Sequence, residues 1–91
     1  MPRFLIEVPH EEGKVACLLA IKVLFETGSH FLTKADFGCK DGVHKAWLIV
    51  DVDTKEEARM ILPPVYREKS TVVQLNTFSP EQLDELLHQH Q

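Results

Sequence analysis

His10, Cys39 and His44 are residue types that ligate transition metals, although no C-x-x-C or H-x-x-x-H spacing joins them locally. Brought together by a fold, they would offer two imidazoles and a thiolate to Zn²⁺ or another divalent transition metal. A fourth position would stay open. The structural alternative is that His10 caps a helix, Cys39 fills space as a small hydrophobe and His44 is solvated near a hairpin tip. A second set is Glu7, Asp36, Trp47, Gln74 and Asn76. A carboxylate enclosed beside an indole is desolvated and its pKa rises, which makes Glu7 or Asp36 a usable general base near neutral pH. Trp47 would then pack on an apolar ligand while Gln74 and Asn76 hold its polar groups. Against this stands a wet interface in which Lys34, Lys45, Asp36 and Asp51 simply pair.

Other polar groups carry less. His30 falls opposite Asp53 in the register derived below, as an exposed His–Asp pair. Tyr66 and Arg67, in the charged run ending Glu68-Lys69, would meet an anionic ligand only if that run folds over a pocket mouth. His88 and His90 lie in a terminal tail and bind metal at most adventitiously. The sequence has no Gly-rich phosphate loop, G-x-S-x-G, H-E-x-x-H or paired C-x-x-C, which disfavours nucleotide hydrolysis, serine hydrolase chemistry and a zinc ribbon.

The elements that must position these residues belong to one domain over residues 1–91: 91 residues with 44% hydrophobic and 26% charged residues describe an ordinary globular unit. Ten Lys plus Arg against fourteen Asp plus Glu leave a net charge of −4, so no basic field exists to hold nucleic acid. No apolar run approaches the roughly 20 residues of a membrane span. The start reads as a strand rather than a leader, and two cysteines are too few for a disulfide framework, so a reduced, cytoplasmic chain is expected.

Arg3 to Val8 alternates apolar and polar residues and reads as a strand ended by Pro9. Residues 11 to 27 read as a helix with Glu11 and Glu12 in its first turn, Cys17, Ala20, Ile21 and Leu24 in its buried stripe, and Gly28 as a left-handed stop. Asp41-Gly42 predicts a type I′ hairpin over residues 30 to 53, which pairs Cys39 with His44, Phe37 with Ala46 and Asp36 with Trp47. Continued outward, the same register pairs Ala35 with Leu48, Lys34 with Ile49, Thr33 with Val50, Leu32 with Asp51 and Phe31 with Val52. Thr54 with Glu57 is a capping box opening a short helix stopped by Pro63-Pro64, and Val65 to Ser70 reads as a connector. Thr71 to Phe78 is a strand, and Ser79-Pro80 with Gln82 opens a last helix whose stripe is Leu83, Leu86 and Leu87, with a frayed tail from His88 to Gln91.

This order predicts an α+β, ferredoxin-like βαββαβ fold: a four-stranded antiparallel sheet with both main helices on one face, plus a C-terminal helix. The first strand lies beside the third, which puts His10, Cys39 and His44 on one face at one end. The helix side would carry Phe4, Ile6, Val8, Ala46, Leu48, Val50, Val73 and Leu75. The uncovered side would mix Leu5, Leu32, Trp47, Ile49 and Val72 with Glu7, Asp36, Gln74 and Asn76. That side is too apolar to meet water alone, so a homodimer joined through its sheet faces is expected.

The element order, the hairpin around Asp41-Gly42 and the stretch from Trp47 to Ala58, with its D-x-x-x-E-A form (Asp53, Glu57, Ala58), resemble the dimeric α+β-barrel superfamily. Within it the chain is most similar to small muconolactone-isomerase-like and YCII-related single-domain proteins. The resemblance implies a dimer enclosing a pocket for a small-molecule ligand. The leading expectation is a cofactor-independent isomerase or lyase for a small organic acid or lactone, with Glu7 or Asp36 moving the proton. The alternatives are a metal- or ligand-binding module using His10, Cys39 and His44, or a purely structural dimerisation domain.

Overall fold

Alternation places Phe4, Ile6 and Val8 on one side of β1 (Arg3–Pro9), all nearly inaccessible, with Leu5 and Glu7 half-buried on the other. In the computed structural model, which describes residues 1–90, β1 is central in an antiparallel four-stranded sheet of order β2-β3-β1-β4. β2 is Asp36–Phe37, β3 Lys45–Asp51 and β4 Thr71–Leu75. The helices are α1 (Lys14–Thr27), α2 (Lys55–Met60), α3 (Pro64–Arg67) and α4 (Pro80–Gln89). The chain is therefore α+β, compatible with the expected ferredoxin-like arrangement. No helix among the described residues is long and apolar enough to cross a membrane.

One core holds it together. Phe4, Ile6, Val8, Ala46, Leu48 and Val50 from the sheet pack against Leu24 of α1 and against Ala58, Ile61 and Leu62 of and after α2, so both helices cover the same face. The register of β3 on β1 runs from Arg3↔Asp51 to Pro9↔Lys45 and is continued by the His10 amide donating to the His44 carbonyl at 3.1 Å. His10 and His44 are thus cross-strand neighbours on the covered face, at the end of the sheet.

Several expectations are corrected. The expected strand from residue 30 shortens to two residues. Ser29 Oγ accepts from the Phe31 amide and the Ser29 carbonyl from the Leu32 amide, so His30–Lys34 coils into a 3-10 turn that drops Leu32 into the core. The pairings Asp36↔Trp47 and Phe37↔Ala46 form as expected; the pairings further out do not. The hairpin tip is not a type I′ turn, because only Gly42 has positive φ: Cys39–Asp41 makes a 3-10 turn, closed by the Val43 amide on the Gly38 carbonyl at 3.0 Å. α1 starts three residues late, leaving Glu11 and Glu12 outside it, because the chain swings through Gly13 at φ 109°. Gly28 is extended rather than left-handed (φ −96°).

β4 has the opposite parity to that expected. Val72 pairs with Ile6 and is buried, whereas Val73 pairs with Leu5 and is 44% exposed on the open face. Residues 65–70 are not a plain connector: Pro64 starts α3, and Arg59 and Arg67 donate to carbonyls of Arg67, Ser70 and Leu62. Ser79 and Gln82 make the full reciprocal capping box, and α4 holds His88 and Gln89 as helix; Gln91 lies outside the described residues.

Candidate functional site: a sulfur and imidazole cluster

The β1–β3 register sets His10 and His44 side by side, with rings 6.0 Å apart and 78° between their planes. The turn after β2 carries Cys39 onto them, and Cys17 comes down from the first full turn of α1. Cys17 is the fourth member that the sequence reading placed only in the helix stripe. The sequence carried no signal for it, because its placement follows from the helix starting at Lys14 and not at residue 11. The two cysteines form a disulfide across 22 residues, which corrects the expectation of a reduced chain without pairing.

His10 Nε2 lies 3.3 Å from Cys39 Sγ and 3.9 Å from Cys17 Sγ. Its other nitrogen, Nδ1, is 3.3 Å from the Glu11 carbonyl, to which it donates in the tautomer that leaves Nε2 free to ligate. A metal-ligating histidine usually donates its distal N–H to a carbonyl in this way. His44 Nδ1 is buried with no hydrogen-bond partner, a loss of about 1–3 kcal/mol if nothing binds it. Donor atoms of His10, Cys17, Cys39 and His44 all lie within 4.8 Å of one another. Tetrahedral zinc with two sulfurs and two nitrogens needs donor separations of about 3.3–3.8 Å. The sulfurs, bonded to each other here, would have to separate to that distance on reduction. The set is four protein donors, not three with an open position.

An open cleft of about 860 Å³ borders the cluster, walled by Leu18, Ile21 and Phe37 and rimmed by Glu12, Lys14, Asp36 and Lys40. Cys17, Cys39 and His44 form part of its lining. On the far side of His10, burial and the nearby negative charge of Glu11 push the Tyr66 hydroxyl pKa above its ordinary value.

The carboxylate set assembles only in part. Glu7 is opposite Trp47, accepts from its indole N–H at 3.0 Å and pairs with Lys45 at 3.7 Å. Asp36 is exposed beside Trp47, at a recess of about 260 Å³ that also includes Leu5, Lys34 and Ile49. Gln74 pairs with Phe4 and so falls on the other face, with Asn76 past the strand end. Both border a cleft with Arg3 and Asp51, roughly 13 Å along the strand from Glu7 at four residues of strand rise. Gln74 and Asn76 therefore cannot orient a ligand held at Glu7 and Trp47. His30 stacks on Phe31, with centroids 4.7 Å apart, and makes no pair with Asp53.

No family model, no curated protein and no solved structure matches this chain.

Proposed function

We propose that this chain is a small metal-binding module that holds one divalent transition metal, Zn²⁺ on donor preference, through His10, Cys17, Cys39 and His44 when its cysteines are reduced. The observation that carries this is the convergence of four ligating side chains within 4.8 Å, one of them with a buried, unpartnered nitrogen. A closed set of two sulfurs and two imidazoles suits holding a metal rather than activating water on it, which requires an open position. A cytoplasmic setting belongs to this reading, since there thiols are kept reduced and the dithiol form is the working one. So does a ferredoxin-like homodimer, supported by the apolar residues on the open sheet face and along α4. The isomerase or lyase reading keeps the Glu7–Trp47 contact but lacks the ligand-orienting pair, and the metal reading is preferred.

The test is zinc binding to tag-free, reduced protein, followed by competition with a chromophoric chelator. One equivalent should bind per chain, and Cys39→Ser or His44→Ala should weaken binding at least 100-fold. Absence of binding by the reduced wild type, or affinity indifferent to both substitutions, overturns the reading.

A further inference from the structure

We propose that Cys39 is a site of mixed-disulfide formation with small thiols, entered through the adjoining cleft, and that this exchange opens and closes the metal site. The proposal deepens the metal reading and rests on it for what the reduced pair then does. The covalent step itself stands on three separate observations.

The first is that the disulfide is reachable from one side. Both cysteines border the cleft, but Cys17 is only 4% exposed whereas Cys39 is half-buried on a surface turn. Exchange requires a thiolate to reach one sulfur from outside, so Cys39 is the sulfur attacked. The second is the position of the leaving sulfur. Cys17 lies in the first full turn of α1, whose N-cap, Gly13, brings no side-chain acceptor and whose first turn holds no acidic residue. With no acidic residue inside that first turn, the positive helix end favours negative charge developing on that sulfur. The third is the cleft itself. About 860 Å³ accommodates a molecule of tripeptide size; Leu18, Ile21 and Phe37 offer apolar walls, Lys14 and Lys40 suit carboxylates, and Glu12 suits an ammonium group. A small zwitterionic thiol fits that pattern.

The chemistry balances with the thiol as reductant. Its thiolate attacks Cys39 Sγ; a sulfur–sulfur bond forms there while the Cys17–Cys39 bond breaks, and the electron pair leaves on Cys17 Sγ, which takes up the proton that the incoming thiol gave up. A second thiolate then attacks the small-molecule sulfur of the adduct, expelling Cys39 as thiolate and releasing the small-molecule disulfide. Two thiols are oxidised and the protein disulfide gains two electrons and two protons. His10 Nε2, 3.3 Å from Cys39 Sγ, accepts a hydrogen bond from the thiol so formed. Metal then replaces the two thiol protons. The reverse sequence, starting with small-molecule disulfide on Cys39, ends in the closed, metal-free form.

The test uses oxidised glutathione as the probe, with a chelator present so that metal plays no part. Cys17→Ser should acquire one glutathionyl group on Cys39 by mass spectrometry, at least tenfold faster than Cys39→Ser acquires one on Cys17. Because either variant can misfold, the wild-type disulfide is also treated with reduced glutathione and acid-quenched at early times, and the trapped adduct should map to Cys39. An adduct mapping to Cys17, equal rates at both cysteines, or no adduct at all overturns the proposal. In a separate arm, one equivalent of Zn²⁺ added to reduced wild type should suppress adduct formation at least tenfold, and unsuppressed formation by zinc-loaded protein overturns the gating. Failure of the metal reading shows instead as absent zinc binding with the Cys39 preference intact.

Discussion

At the scale of single residues, the cysteine pair sets the terms of stability. Closing the 22-residue separation between Cys17 and Cys39 removes unfolded-chain entropy worth about 3 kcal/mol in the loop-closure model. Reduction in the presence of a chelator should therefore lower the urea unfolding free energy by about that amount. Adding zinc to the reduced protein should return most of it, since a ligand at 100 times its dissociation constant contributes about 2.7 kcal/mol to the folded state. Trp47 fluorescence serves as the probe, because the indole is half-buried and tied to Glu7. A reduced, metal-free chain as stable as the oxidised one would mean that the cluster constrains nothing. Of the cluster, three members could be read in the sequence because strand parity places His10, Cys39 and His44 on one face. Cys17 could not: it comes from a helix, and which helical turn overlies which strand end depends on where the helix starts, which the unexpected swing at Gly13 decides.

At the scale of elements, the strongest constraint sits where α1 hands over to the 3-10 turn. A Cβ on Gly28 would collide with the Leu32 side chain and lie 2.8 Å from the Leu24 carbonyl oxygen. Leu32 is buried and the carbonyl is backbone, so neither gives way cheaply. Gly28→Ala should cost roughly 1–3 kcal/mol, as overpacking does, and should show as a lowered thermal midpoint with unchanged zinc stoichiometry. A neutral result would mean that the turn relaxes freely. The expected left-handed stop thus had the right residue for the wrong reason. The same limits apply elsewhere. The pairing of β2 with β3 was readable from the position of Asp41-Gly42, although the turn type differs, and alternation agrees with it: Phe37 and Ala46 share a face and Asp36 and Trp47 the other. The parity of β4 was not, since Val72 and Val73 adjoin and either could face inward. Contact with Ile6 on β1 selects Val72. Nor was the 3-10 turn at His30–Lys34, where a serine hydroxyl competing for backbone amides outweighs a β-compatible residue run. The capping boxes fared better, because their partners lie within four residues: Thr54 accepts from the Glu57 amide, although Glu57 reaches back to the Asp53 amide instead of closing on Thr54.

At the scale of the molecule, the shape is longer than its chain length warrants. The extents are 53 × 28 × 21 Å and the radius of gyration is 16.3 Å, against about 12 Å for a compact domain of this length. The excess belongs to α4, which buries none of its residues and leaves Leu83, Leu86 and Leu87 exposed. The open sheet face has a matching deficit, with Ile49 56% and Val73 44% exposed on either side of Leu5. An isolated ten-residue helix is marginal in water, and Ser79 and its capping box offset only part of that cost. Packing the leucine stripe onto the open face of a second copy would cover both surfaces at once, with each copy contributing the same patch. We therefore expect the purified chain to sediment as a dimer at tens of micromolar. Leu83→Glu with Leu86→Glu should dissociate it into protomers whose core still unfolds cooperatively, because α4 contributes nothing to that core. Ser79→Ala, costing about 1 kcal/mol of local helix stability, should weaken the dimer without changing zinc affinity. A wild-type chain that sediments as a lone protomer at these concentrations, with α4 amides exchanging at unfolded rates, would leave the two apolar surfaces unconnected and remove the second copy from the proposal.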